Sequence, residues 1–194
     1  MELTETPLRG EILYDGKILR LRVDEARLPN GRVAKREVVE HNGGVCIAAL
    51  TDEDELLFVR QYRYPYQQVV TELPAGKLER GEDPFEAGKR ELTEETGASA
   101  AEYYHLGQLY PSPGYCAEII TLYLATGLQY GEMNPDEDEF LDVQCIPLTE
   151  AAEMVMRGEL PDAKTQTAVL KVLEWVRRGK TGLQRVQETA NSPA

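Results

Sequence analysis

A single helix, capped at both ends and set between β-rich runs, is the strongest constraint on this chain. Over residues 84–96, Asp83 supplies an N-cap, Pro84 takes the first helical position, Glu86 sits at N3 and Gly97 provides the left-handed stop. Inside it, Glu91 and Glu95 are spaced i,i+4 and Glu94 stands i+3 from Glu91, so three carboxylates share one face. Phe85, Gly88 and Leu92 form an apolar stripe about a quarter-turn away, at the roughly 100° per residue of the helical period. One side must pack while its neighbour concentrates like charge. That repulsion weakens the helix unless a cation offsets it, and a hard divalent ion such as Mg²⁺, which prefers oxygen ligands, suits the face. Arg90 can pin one carboxylate from the side.

The rest of the chain reads as strands with two further helices. Residues 10–41 form a β meander punctuated by Asp15-Gly16 and Pro29-Asn30-Gly31. VCIAAL (45–50) and LLFVRQYR (56–63) flank the charged turn TDEDE and read as a hairpin; VVTEL (69–73), HLGQLY (105–110), IITLYLAT (119–126) and FLDVQCIPL (140–148) continue the β pattern. A second helix starts at Thr149 and stops at Gly158. A third spans about 162–178, opened by Asp162, with Ala168, Val169, Val172, Leu173 and Val176 at helical spacing. The expected class is α+β, an α/β/α sandwich with a mixed sheet. It divides into an N-terminal antiparallel β arm (1–41), a main domain (42–182) and a flexible tail (183–194).

Composition enters as exclusion. With 21 Lys+Arg against 34 Asp+Glu, a net charge of −13 and no basic cluster, a nucleic-acid partner is not expected. No apolar run approaches the roughly 20 residues that span a bilayer, and MELTETPLRG lacks the marks of a signal peptide, so no membrane partner and a cytoplasmic location are expected. Cys46, Cys116 and Cys145 are odd in number and widely spaced, against a disulfide framework; Cys46 and Cys145, in strand-like runs, read as small core residues. His41 and His105 are the only histidines and stand far apart. Chemistry here must rest on carboxylates.

A generic pair of adjacent glutamates reads as a solvated helix face. Here the surroundings are more specific. Gly76, five residues, Glu82, seven residues, then Arg90-Glu91-Leu92-Thr93-Glu94-Glu95-Thr96-Gly97-Ala98 reproduces the Nudix box, with Ala98 as the one soft position. LPAG (73–76), PSPGYCAE (111–118) and DEDEF (136–140) extend the likeness, so that residues 10–179 resemble the ADP-ribose pyrophosphatase branch of the Nudix hydrolases. Pro113, sixteen residues beyond Gly97, stands where that branch carries a marker of ADP-ribose preference.

The resemblance implies a Mg²⁺-dependent homodimer, with Mn²⁺ an acceptable substitute, that splits ADP-ribose into AMP and ribose 5-phosphate. Its runner-up substrates are other nucleoside diphosphate sugars such as GDP-mannose, and a non-enzymatic ADP-ribose sensor is the alternative of another class. It makes Glu91, Glu95, Glu94 and the Ala75 carbonyl the metal ligands, with Glu82 behind them. Arg63 and Glu118 contact substrate beside Pro113. Glu139 is the general base, with Glu137 as its fallback. It also places the N-terminal arm across a twofold axis, reaching the partner's site. Of the aromatic residues, Trp175, Tyr62, Tyr64 and Tyr66 read as core or interface.

Overall fold

The computed structural model describes residues 1–135 and 139–187. Three antiparallel strands, β1 (Thr6–Asp15), β2 (Leu19–Arg27) and β3 (Val33–His41), form a separate sheet in the order β1-β2-β3. The arm thus has the expected meander. It joins the rest of the chain through Val39, which exchanges backbone hydrogen bonds with Tyr115 and Ala117.

The central sheet is five-stranded and mixed. It comprises β4 (Gly44–Ala49), β7 (Ala75–Lys77), β8 (Ala98–Leu109), β9 (Ile120–Tyr130) and β11 (Gln184–Arg185), in the order β11-β8-β9-β4-β7. Strand β4 runs parallel to β9 and antiparallel to β7. A third sheet sets β10 (Asp142–Pro147) and β6 (Gln68–Glu72) on either side of β5 (Glu55–Arg63).

The strict alternation of side chains along β4 builds two cores. Val45, Ile47 and Ala49 pack with Ala87 and Leu92 of α1 (Pro84–Thr96). Cys46, Ala48 and Leu50 face the opposite way, toward Val169, Val172 and Trp175 of α3 (Ala163–Arg177) and Ala151 of α2 (Leu148–Met156). Helices therefore cover both faces of the central sheet, and the expected α/β/α arrangement is present. The caps of α1 are also as read: Asp83 accepts the Phe85 and Glu86 N–H groups, and Gly97 closes the helix at φ 68°.

Four local expectations are corrected. Residues 45–50 and 56–63 are not a hairpin. Apart from a single bridge between Leu50 and Leu56, β4 and β5 belong to different sheets, because β4 is apolar on both faces and takes a central place between β9 and β7. The strand read at 105–110 begins at Ala98, crossing a bulge between His105 and Gly107. Cys145 is exposed, since it lies on a half-buried strand of the smaller sheet. Of the segment expected to be a tail, Gln184 and Arg185 pair with β8, and Val186 packs on the α1 core; residues 188–194 lie outside the described residues. No helix among the described residues is long and apolar enough to cross a membrane.

Candidate active site

The acidic face of α1 meets β7, and glycine makes the contact feasible. A Cβ on Gly76 would fall 1.9 Å from the Glu91 carboxyl carbon, so only glycine lets that carboxylate lie against the strand. One turn on, Glu95 is 2% exposed and accepts the Ala75 N–H at 3.0 Å. The shared face thus sets Glu91 against Gly76 and Glu95 on Ala75.

Arg90 supplies the local counter-charge unevenly. Its Nε donates to Glu82 Oε1 at 3.1 Å and its Nη1 to Glu94 Oε2 at 2.7 Å, while Nη1 also stands 2.9 Å from Glu91 Oε1. Burial pushes the Glu91 carboxyl up, and Arg90 opposes that shift. Glu95 has no ion pair among the described residues, and only the charge of Arg63 and the Ala75 hydrogen bond oppose its shift. Burial, with Glu91 and Glu139 adding repulsion, pushes it up to about 8 despite the Ala75 hydrogen bond.

This shift carries a sign. A carboxyl whose value in the fold is raised from 4.5 to about 8 prefers to be neutral there, so its stabilisation is complete below pH 4.5 and is lost as pH rises through 8. In chelator-treated protein, Glu95→Gln should therefore melt progressively higher than the parent as pH climbs from about 5 to about 9, a gap of several degrees at the top. Differential scanning calorimetry at fixed ionic strength reads it; a gap independent of pH would contradict the geometry.

A cavity of about 760 Å³ opens over these carboxylates. Besides Ala75, Glu91 and Glu94, its walls include Arg63, Glu118 and Glu139, so the structure gathers six of the sequence candidates at one place. Glu118 Oε1 stands 3.4 Å from His41 Nδ1, which accepts the Gly43 N–H at 3.1 Å. Three described candidates are not among the wall residues: Glu95, buried beneath it, Glu82, held by Arg90, and Pro113. Pro113 is exposed in the loop after β8, whose Pro111 lines the cavity instead. Glu137 lies outside the described residues.

Sequence reasoning missed several wall residues. Lys17 and Ile18, in the turn between β1 and β2, reach the cavity of their own chain, although the arm was expected to serve a partner's. Asp162 and Lys164 line it from the N-terminus of α3, where only the helix-opening role of Asp162 was legible. Buried Glu72 was read merely as part of a strand, yet it holds Arg63 through paired hydrogen bonds of 2.6 and 2.9 Å. The aromatic residues divide: Trp175 is core, whereas Tyr62, Tyr64 and Tyr66 are exposed.

Among the described residues, no three carboxylate, imidazole or thiol groups close into a ready-made cage for a metal ion. What remains is a buried pair of like charges, Glu91 and Glu95, beside Glu94 and a strand backbone, open to a large cavity. That donor set fits a hard, hydrated dication such as Mg²⁺, which keeps waters and takes one or two carboxylates together with substrate phosphate. It does not fit a closed thiolate or imidazole site.

Comparison with known proteins agrees with this arrangement. A NUDIX domain matches residues 40–168, and a nucleoside diphosphate sugar hydrolase N-terminal domain matches residues 5–39. The chain is 41% identical over 169 residues to an ADP-ribose pyrophosphatase of Bacillus subtilis (strain 168), covering 86% of this chain and 91% of the relative. It is 42% identical over 167 residues to a methanol dehydrogenase activator of Bacillus methanolicus, covering 85% and 90%. A GDP-mannose pyrophosphatase of Citrobacter koseri is more distant, at 32% over 173 residues, 82% of this chain and 90% of that protein. Among solved structures, an ADP compounds hydrolase matches with a TM-score of 0.81 at 24% identity, covering 93% of this chain and 100% of the other, which shows a shared fold.

Proposed function

We propose, on the premise that this chain belongs to the Nudix family, that it hydrolyses the diphosphate of ADP-ribose to AMP and ribose 5-phosphate with the help of Mg²⁺. The observation that carries the reading is the gathering of Glu91, Glu94, Ala75, Arg63, Glu118 and Glu139 around one cavity, with Glu95 buried beneath it. Identity of 41% to an ADP-ribose pyrophosphatase over most of both chains supports the choice of substrate.

Glu91, Glu94, Glu95 and the Ala75 carbonyl would hold the metal, with Glu82 behind Arg90. When bound, a divalent ion offsets the charge on the diphosphate and on the acidic wall, which otherwise repel each other. The remaining work falls to the protein's own groups. Arg63 grips a phosphate oxygen, and Glu118 orients the substrate from the far wall. Glu139, close enough to Glu91 and Glu95 for its charge to raise both, accepts the proton of the attacking water as the new P–O bond forms and the bridging P–O bond breaks. Pro113 acts, in this reading, by shaping the loop that carries Glu118. A panel of nucleoside diphosphate sugars with Mg²⁺ and identified products tests the assignment. Preference for GDP-mannose, the second reading that the Citrobacter koseri relative favours, would overturn the substrate, and binding without turnover would overturn the enzyme.

The same reading makes the protein a homodimer. Every residue of β1 is exposed, including Leu8, Ile12, Leu13 and Tyr14, and Val33 on β3 is 51% exposed. A three-stranded sheet with so much bare apolar surface is marginal by itself and calls for a partner across a twofold axis. Light scattering should give twice the 21.8 kDa chain mass. A fully active monomer would refute the assembly. The three thiols remain unpaired, as suits the reducing cytoplasm proposed as its location.

A further inference from the structure

Four charged side chains cluster where β6 meets the N-terminus of α3, and one contact among them, Glu72 to Lys164, spans 92 residues. Glu72 is 2% exposed and both its oxygens are engaged. Oε1 accepts Arg63 Nε at 2.6 Å, while Oε2 accepts Arg63 Nη2 at 2.9 Å and Lys164 Nζ at 2.5 Å. Lys164 Nζ also meets Asp162 Oδ1 at 3.0 Å. Asp162 in turn caps α3 by accepting the Thr165 N–H at 2.9 Å, and Thr165 Oγ1 accepts the Leu73 N–H at 2.9 Å. The first turn of α3 is thereby tied both to the Arg63–Glu72 pair and to the backbone two residues before Ala75.

Stability alone does not account for such a cluster. Desolvating several ions offsets most of their mutual attraction, and well-packed apolar residues commonly do as well. What the network achieves is geometric. A free arginine side chain samples many rotamers and loses that freedom when it is fixed. The Glu72 fork holds the Nε and Nη2 edge of Arg63, leaving Nη1 with no hydrogen-bond partner among the described residues, on a side chain that lines the cavity. Lys164, only 12% exposed in its side chain, keeps Glu72 from turning.

We propose that Lys164 and Glu72 are positioning residues that lock the Arg63 guanidinium so that its Nη1 edge meets the diphosphate; the inference rests on the hydrolase reading above. A double-mutant cycle separates this from a merely structural role. Lys164→Met and Glu72→Gln should each lower kcat/KM for ADP-ribose by about 10–10²-fold, the usual cost of a displaced positioning group. In an Arg63→Ala background, either should add less than about 2-fold, because residues that act through one another are not additive. Lys164→Arg should recover most of the loss, and the Mg²⁺ concentration for half-maximal activity should stay unchanged.

Calorimetric binding of a methylene-bridged ADP-ribose analogue, with Mg²⁺, runs the same cycle without turnover. Glu72→Gln, which keeps its volume, serves if Lys164→Met does not fold. Losses that multiply with that of Arg63→Ala, or a Lys164→Met protein as active as the parent, would overturn the lock while leaving the hydrolase reading intact. A parent that binds the analogue but hydrolyses no nucleoside diphosphate sugar would overturn the function, with the lock still judged by the binding cycle. A parent that neither binds nor hydrolyses would overturn both.

Discussion

Glu91→Gln and Glu95→Gln should each cut Mg²⁺-dependent hydrolysis of ADP-ribose by about 10³-fold, since the charge stabilisation a held metal supplies amounts to several kcal/mol and each 1.36 kcal/mol is tenfold in rate. Both side chains are buried against the β7 backbone, Glu91 over Gly76 and Glu95 on the Ala75 N–H, so glutamine fits the same space and the proteins should fold. The Glu95 variant should melt higher than the parent without metal, because it removes a carboxylate held unpaired beside another. The two properties should separate: metal affinity measured by calorimetry falls, while the apo fold is unharmed. Near-normal Mg²⁺-dependent turnover in both variants would sink the metal-site assignment.

Glu139→Gln should lower kcat by about 10²–10⁴-fold, the usual worth of a positioned proton acceptor, with little change in substrate affinity or metal binding. Glu139 stands at the cavity wall and adds to the upward push on Glu91 and Glu95, so its carboxylate is close to where those acids would meet substrate. The deficit should shrink as pH rises and hydroxide takes over the work of the base. That profile separates it from the Glu91 and Glu95 variants, whose metal affinity is lost as well. Glu137→Gln, measured alongside, decides the register within the acidic run DEDEF. An inactive Glu137→Gln with a normal Glu139→Gln would move the base by two residues.

The contrast between local and distant relations explains what could be read before folding. The helix over 84–96, its Asp83 cap and Gly97 stop, and the shared face of Glu91, Glu94 and Glu95 were all legible in the sequence. Each depends on residues within four positions of one another, where chain geometry alone dictates the neighbour.

Which strand lies beside which was not legible. β4 and β5 are separated by a short turn and still enter different sheets, because burying both faces of β4 places it between β9 and β7. Cys145 faces outward and Gln184-Arg185 joins β8 for the same kind of reason: neither strand's position is set by its own residues. The Glu72–Lys164 contact spans 92 residues, and no spacing rule reaches that far. By itself the sequence determined the carboxylate face and the chemistry it suits, through short-range geometry. Only the tertiary structure decided what holds Arg63, through packing α3 against the end of β6.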